Sequence, residues 1–319
     1  VATGEAARPV PARERAASPG SPLATYLLVF AAVTFWSLTG IVFAIVLDNA
    51  TISPLTVVLL RGLTAAAILG LYLALARRDG LRVARRHLPQ LALLGFVYIT
   101  IFYPALIYTY ELNSVPVGTA LLYLFPAFVT LVSTRWFGEA LTRRKLLALA
   151  LCLLGTFVVV APWRDGEFSP LGVLLGVVSA ATYAYYAAFS RPLLQHYHFT
   201  TVLFYTLGIG CLGLLPLQVF ATPAGSPPAF VGLPALPDPW TTLRIALILG
   251  VLITLLPLSL YTVALGRLPA GNVAIAATIE PALTIIFAAL ILGQYLAAVQ
   301  LLGAALVVAG VIVLASGGA

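Results

Sequence analysis

Two stretches of this chain, 108 to 155 and 261 to 310, carry one pattern twice. Tyr108, Leu112, Pro116, Gly118, Pro126, Gly138, Glu139, Leu141 and Gly155 match Tyr261, Leu265, Pro269, Gly271, Pro281, Gly293, Gln294, Leu296 and Gly310. From Pro126 and Pro281 onward the copies align without a gap, and upstream of them the second copy carries two extra residues. Both copies are apolar throughout, so the duplicated unit is a set of membrane helices. That architecture points to a transporter more strongly than any single residue does.

Composition sets the solvent. Of 319 residues, 61% are hydrophobic and 8% charged, with a mean hydropathy of +1.06, whereas soluble domains carry about a quarter charged residues. A spanning helix needs roughly 20 mostly apolar residues. Ten such runs are present: 23 to 47, 54 to 76, 89 to 110, 115 to 137, 144 to 161, 169 to 190, 199 to 220, 241 to 265, 270 to 292 and 296 to 315. They are long, rich in Leu, Ala and Gly, and lack the alternation that a barrel lumen demands, so the expected class is all-α. The first run has about the length of a span and no small-x-small cleavage site, which makes it a retained span and not a signal peptide.

The net charge of +7 is informative as a map. With the N-terminus in the cytoplasm, inward segments hold Arg8, Arg13, Arg15, Arg77, Arg78, Arg82, Arg85, Arg86, Arg135, Arg143, Arg144, Lys145, Arg191 and Arg267, and outward ones only Arg164 and Arg244. This bias predicts both termini in the cytoplasm of a cell (inner) membrane protein. Anionic lipid accounts for the basic loops, so no nucleic-acid partner is expected.

Residues 1–22, rich in Ala, Pro, Arg and Ser, are expected to form a disordered cytoplasmic tail. Two five-helix units follow, 23–161 and 169–315, joined by Arg164-Asp165-Gly166-Glu167. An odd number of helices per unit forces the second copy into the bilayer upside down, the inverted-repeat plan with a site near the midplane. Residues 221–240, with six prolines and no basic residue, are expected to be an extended outer connection, anchored by Trp240. The fifth and tenth runs, apolar apart from their ends, read as scaffold or homodimer helices, with Leu151, Leu154, Val158, Leu302, Leu306 and Val313 toward lipid.

Trp36-Ser37, Arg61-Gly62, Pro126, Gly138-Glu139 and Gly155, then Glu280-Pro281, Gly293-Gln294 and Gly310, give the chain a resemblance over residues 23 to 315 to the EamA-type branch of the drug/metabolite transporter superfamily. The resemblance implies ten helices, a central cavity lined by helices 1 to 4 and 6 to 9, and export of small metabolites such as amino acids. Gln294 departs from the second Glu often found in the family, which argues that this position is structural. Glu111 stands where the family carries a small or neutral residue, and a solvated helix-end carboxylate is its simplest reading.

Arg61 and Glu280 are the charges set deep inside runs. A mid-bilayer ion costs at least about 2.5–3.5 kcal/mol on insertion scales, so each needs protein or water around it. They fit two roles: a structural ion pair or hydrogen-bonded network that holds the helices together, or a binding pair in which Arg61 takes a carboxylate while Glu280 takes an amine or a proton. Glu139, just ahead of Arg143 and Arg144, reads as a local salt bridge. Helical spacing puts Thr100, Tyr103, Ile107 and Tyr110 on one face, and Thr119, Tyr123, Pro126 and Thr130 on another. Trp36, Tyr103, Tyr123, Tyr183, Tyr186 and Tyr261 join Arg61 and Glu280 as candidate substrate contacts, since mid-span hydroxyls face helices or a cavity more often than lipid. Tyr26, Tyr72, Trp136, Trp163, Tyr197 and Trp240 read as interfacial anchors.

Pro104, Pro126, Pro216, Pro257 and Pro281 each remove a backbone hydrogen bond. The matched pair Pro126 and Pro281 is the candidate hinge, with Glu280 as the coupling group. His87, His196 and His198 lie in loops, no metal-ligand spacing or P-loop occurs, and Cys152 and Cys211 fall inside runs. No enzyme, cofactor, metal or catalytic residue is therefore expected. The sequence reads as a secondary transporter of a small solute working by alternating access; a non-transporting membrane ligand-binding scaffold or sensor is the alternative.

Overall fold

A computed structural model describes residues 21–46, 54–161, 169–220, 239–293 and 297–316. The tail, the polar link with Trp163, most of the proline-rich connection and Gln294 lie outside the described residues. Among the described residues, ten helical segments make the bundle: α1 (Pro22–Val42), α2 (Pro54–Ala76), α3 (Arg85–Leu112), α4 (Val115–Phe137), α5 (Arg143–Val160), α6 (Pro170–Leu194), α7 (Phe199–Leu217), α8 (Thr242–Arg267), α9 (Ala270–Ile291) and α10 (Ala298–Ala315). Nine of these, among the described residues, are long and apolar enough to cross a membrane. The tenth is α5, whose 18 residues open with Arg143, Arg144 and Lys145.

Helix starts are written locally. Ser21, Ser114, Thr142 and Ser169 each accept a hydrogen bond from a first-turn amide, and Pro22, Pro116 and Pro170 follow three of these caps. Gly138 and Gly293 end α4 and α9 at φ 66°, a left-handed conformation that a side chain would strain.

The prolines act where their chemistry says. A proline ring collides with the carbonyl four residues back and offers it no N–H. The first half of α4 ends at Leu122, four residues before Pro126, and the first half of α9 ends at Ala277, four before Pro281. The second halves resume at Phe125 and Glu280. In α3 and α8 the same conflict is absorbed by π-helical turns, Phe96–Ile101 and Leu249–Leu255, ahead of or around the carbonyls facing Pro104 and Pro257. Pro216 lies inside a helix that continues to Phe220.

The π turn corrects one expected face. Its extra residue rotates Thr100 away from Tyr103 and onto α7, where Thr100 Oγ1 donates to the Gly210 carbonyl at 3.0 Å.

The two repeats are inverted. Gly155 of α5 abuts Gly303 and Val307 of α10, while Gly310 of α10 abuts Cys152 and Ala148 of α5. Residue numbers rise on one helix as they fall on the other, so these equivalent helices run antiparallel. Matched details recur throughout: Thr109 and Thr262 both donate back to the carbonyl four residues earlier, at 2.7 and 2.6 Å. Outward faces of α5 and α10 keep Leu154 and Leu302 exposed, as a lipid-facing scaffold requires.

Candidate functional site

A cavity of about 880 Å³ lies between the repeats. Its walls come from α1 (Trp36, Ser37, Thr39), α2 (Val57, Arg61), α3 (Tyr103, Ile107, Tyr110), α4 (Thr119, Tyr123) and α9 (Glu280, Pro281, Thr284), with Val159 of α5 and Gln300 of α10. It reaches the end of the bundle at which α2, α4 and α10 begin, as Pro54, Val115, Pro116 and Gln300 show. The basic loops lie at the opposite end.

Glu280 sits in this wall because Pro281 breaks α9. It is the first residue of the resumed helix, at the N-terminal end whose free amides favour an anion. The Tyr123 hydroxyl lies beside its carboxyl, and Tyr110 lies close enough to feel its charge. Tyr123 lies at the matching break in α4, so the two proline breaks meet across the cavity.

Arg61 is 92% shielded, and its guanidinium lies over the Tyr103 ring at 4.7 Å from the centroid. This cation–π contact supplies part of the partnership that an intramembrane charge requires. Among the described residues, neither Arg61 nor Glu280 forms an ion pair. The structural ion-pair reading therefore fails for these two, and opposite charges stand apart on the walls of one cavity.

Of the expected substrate contacts, Trp36, Arg61, Tyr103, Tyr123 and Glu280 line the cavity. Tyr183, Tyr186 and Tyr261 do not; they pack one layer below it. Tyr186 stacks on Tyr98 at 4.0 Å, Tyr183 packs on Phe125 at 4.4 Å, and Tyr261 meets Trp36 at 5.4 Å. Helices 6 and 8 thus supply the floor and not the walls, and no described residue of α7 lines the cavity, which corrects the lining implied by the resemblance. The physical reason is that α6 is wedged against α3 and α4, and α1 against α8 and α9, so their inner faces are used up by packing. Tyr98, at the centre of this cluster, carried no sequence signal beyond being aromatic. Pro281 lines the cavity while Pro126 is buried behind it.

The floor is also hydrogen-bonded. Thr262 Oγ1 donates to the Leu258 carbonyl, leaving its lone pairs to accept from the Tyr186 hydroxyl at 2.6 Å. Tyr186→Phe is expected to cost about 1 kcal/mol, read as a lower melting temperature of the detergent-solubilised protein. A loss of solute binding out of proportion to that change would return Tyr186 to the site.

Glu139 departs from expectation. Arg143 and Arg144 are exposed and unengaged with it; its partners are Lys145 Nζ at 2.9 Å and Arg191 at 3.3 Å. Its carboxylate also accepts from the backbone amides of Ala270 at 2.7 Å and Gly271 at 3.3 Å, the first turn of α9. The third residue of α5, not the first two, points inward beside it, a geometry that sequence adjacency did not reveal. Of the expected anchors, Tyr72, Trp136 and Trp240 are exposed, whereas Tyr26 bonds Asn272 and Tyr197 bonds Ala84 and His87. Glu111 is exposed at the end of α3.

The EamA-like transporter family model matches residues 23–161 and 170–316. An uncharacterized transporter of Archaeoglobus fulgidus is 28% identical over 228 residues, 72% of this chain and 76% of that protein. The pseudopaline exporter CntI of Pseudomonas aeruginosa is 27% identical over 197 residues, 60% of this chain and 65% of that protein. A probable amino-acid metabolite efflux pump of Salmonella typhimurium is 25% identical over 260 residues, 72% of this chain and 87% of that protein. A solved crystal structure superposes with a TM-score of 0.74 over 91% of this chain and 96% of that one, at 18% identity, which speaks for the fold alone.

Proposed function

Because the chain belongs to the EamA-like transporter family, a family of transporters and not of enzymes, we propose that it is a secondary active exporter of small zwitterionic or amphipathic metabolites, amino acids or their relatives. One observation carries this reading: a cavity between inverted repeats holds Arg61 and Glu280 on different walls, unpaired with each other. A solute bearing both a carboxylate and an amine satisfies the two at once, the carboxylate on the guanidinium fork and the amine on Glu280. Trp36, Tyr103, Tyr110 and Tyr123 supply ring faces and hydroxyls for the remainder. The names of the relatives, an amino-acid metabolite efflux pump and a pseudopaline exporter, fit such a solute.

The units 23–161 and 169–315 rock against one another, with the joints before Pro126 and Pro281 as hinges. The basic loops orient both termini to the cytoplasm of the cell membrane, so the cavity faces outward in this conformation. Glu280 exchanges a proton for the solute's amine on each cycle.

Uptake and counterflow of labelled amino acids into proteoliposomes test the proposal. Arg61→Lys keeps the charge and loses the planar, bidentate, ring-stacked head, and should weaken apparent affinity about tenfold. A scaffold or sensor would instead bind solute in a thermal-shift assay and give no flux.

A further inference from the structure

The two ends of the bundle are not in the same state. At the basic end the first half of α9 packs on the second half of α4. The equivalent pair at the far end, the first half of α4 and the second half of α9, faces across the cavity, with Pro116 and Thr119 on one side and Thr284 and Ala288 on the other. What differs is visible at the closed end. There Glu139 of the first repeat gathers Lys145 of its own repeat together with Arg191 and the Ala270 and Gly271 amides of the second.

We propose that Glu139 is the latch of the closed gate: its carboxylate clamps the N-terminus of α9's first half, and the carrier opens toward the basic end only when that clamp lets go. The proposal rests on the alternating-access reading above and adds which contact holds one gate shut.

Three observations carry it. Glu139 and Lys145 are both about 95% shielded at the side chain, so their pair is not screened by water. The carboxylate sits where a helix N-terminus presents free amides, and it uses two of them, which makes α9 itself a partner. The clamped segment, Ala270–Ala277, is a rigid half-helix buried on all but one of its residues, and Glu280 stands just past its C-terminal joint. Latch and binding carboxylate are therefore the two ends of one short lever. Solute or proton arriving at Glu280 acts on the joint, and the far end of the lever is what Glu139 holds.

The charge of Lys145 has no counterpart at its matched position. At the register position of Lys145, the second repeat carries Gln300, whose Oε1 is occupied by the Ala297 amide at 3.0 Å. The basic end thus carries an ionic clamp where the equivalent position of the other end offers a neutral amide.

The test reads accessibility from each side. In proteoliposomes of fixed orientation, a membrane-impermeant thiol reagent probes Ala274→Cys, which lies beneath the latch, and separately Thr119→Cys in the cavity wall. In the otherwise native chain the first should react slowly from the basic side and the second rapidly from the far side. Glu139→Gln should raise the first rate about tenfold or more and lower the second, as a shift between two states requires. Arg191→Gln, which removes only the more exposed partner, should move both rates the same way by less. Unchanged rates in both variants, or a rise of both reporters together, would overturn the latch, the latter marking a merely structural contact. Solute flux measured on the same vesicles separates the two proposals. Flux without any change in labelling removes the latch and leaves the carrier; reciprocal labelling changes without flux in the native chain remove the carrier and leave the latch.

Discussion

Glu280→Gln is expected to abolish the response of transport to an imposed pH gradient and to weaken binding of an amine-bearing solute by about 30-fold or more. The amide keeps the size of the side chain and can still meet the Tyr123 hydroxyl, so the wall should hold its shape. What it loses is the charge and the proton. Removing one member of a desolvated, hydrogen-bonded charge contact costs about 2–5 kcal/mol, and among the described residues no second acidic side chain lines the cavity to replace it. Solute accumulation in proteoliposomes with and without a pH step makes the measurement. If accumulation still follows the pH step in Glu280→Gln, the coupling group lies elsewhere. If coupling is lost but amine-lacking and amine-bearing solutes bind as before, Glu280 carries protons without touching the solute.

The second large effect concerns the scaffold. Gly155→Leu should leave little folded protein, and Gly155→Ala should already lower stability by about 1–3 kcal/mol. A Cβ at position 155 would stand 2.7 Å from the Gly303 carbonyl oxygen and 2.7 Å from the Val307 amide nitrogen. Both are backbone atoms, so no rotamer change relieves the clash and the helices must separate. In a bilayer this is expensive for a specific reason: helix association gains nothing from water exclusion and depends on close van der Waals contact between small residues. Size-exclusion profiles after heating the detergent-solubilised variants report the loss. A Gly155→Leu protein that melts with the parent would mean that α5 and α10 do not approach at this point.

Some of these conclusions were readable one residue at a time. Pro126 and Pro281 announce their breaks because a proline's conflict with the carbonyl four residues back is local, and the breaks fall at Leu122 and Ala277 accordingly. Gly138 and Gly293 close their helices for an equally local reason. Arg61 and Glu280 stood out because charge in hydrocarbon demands an explanation. Other features could not be read this way. Thr100 was expected beside Tyr103 on the assumption of 3.6 residues per turn, and a single π turn invalidated that period. Tyr183, Tyr186 and Tyr261 have the composition of a binding wall, but whether a mid-span tyrosine faces a cavity or a neighbouring helix depends on which helix is packed against it. Glu139 was assigned to its nearest basic neighbours in the chain; its real partners include Arg191 and the start of α9, more than fifty and a hundred residues away.

The sequence by itself determined the solvent, the helix count, the duplication and, through the odd number of helices per copy, the inversion. These follow from hydropathy and periodicity, which are sums over a segment and hardly depend on what lies beside it. Only the tertiary structure decided that Arg61 and Glu280 stand apart, that three tyrosines form a floor and that one end of the bundle is closed while the other is open. Those facts are relations between helices distant in the chain, and in an inverted repeat the same sequence pattern is compatible with either end being the closed one. The packing of α9 on α4 chose between them.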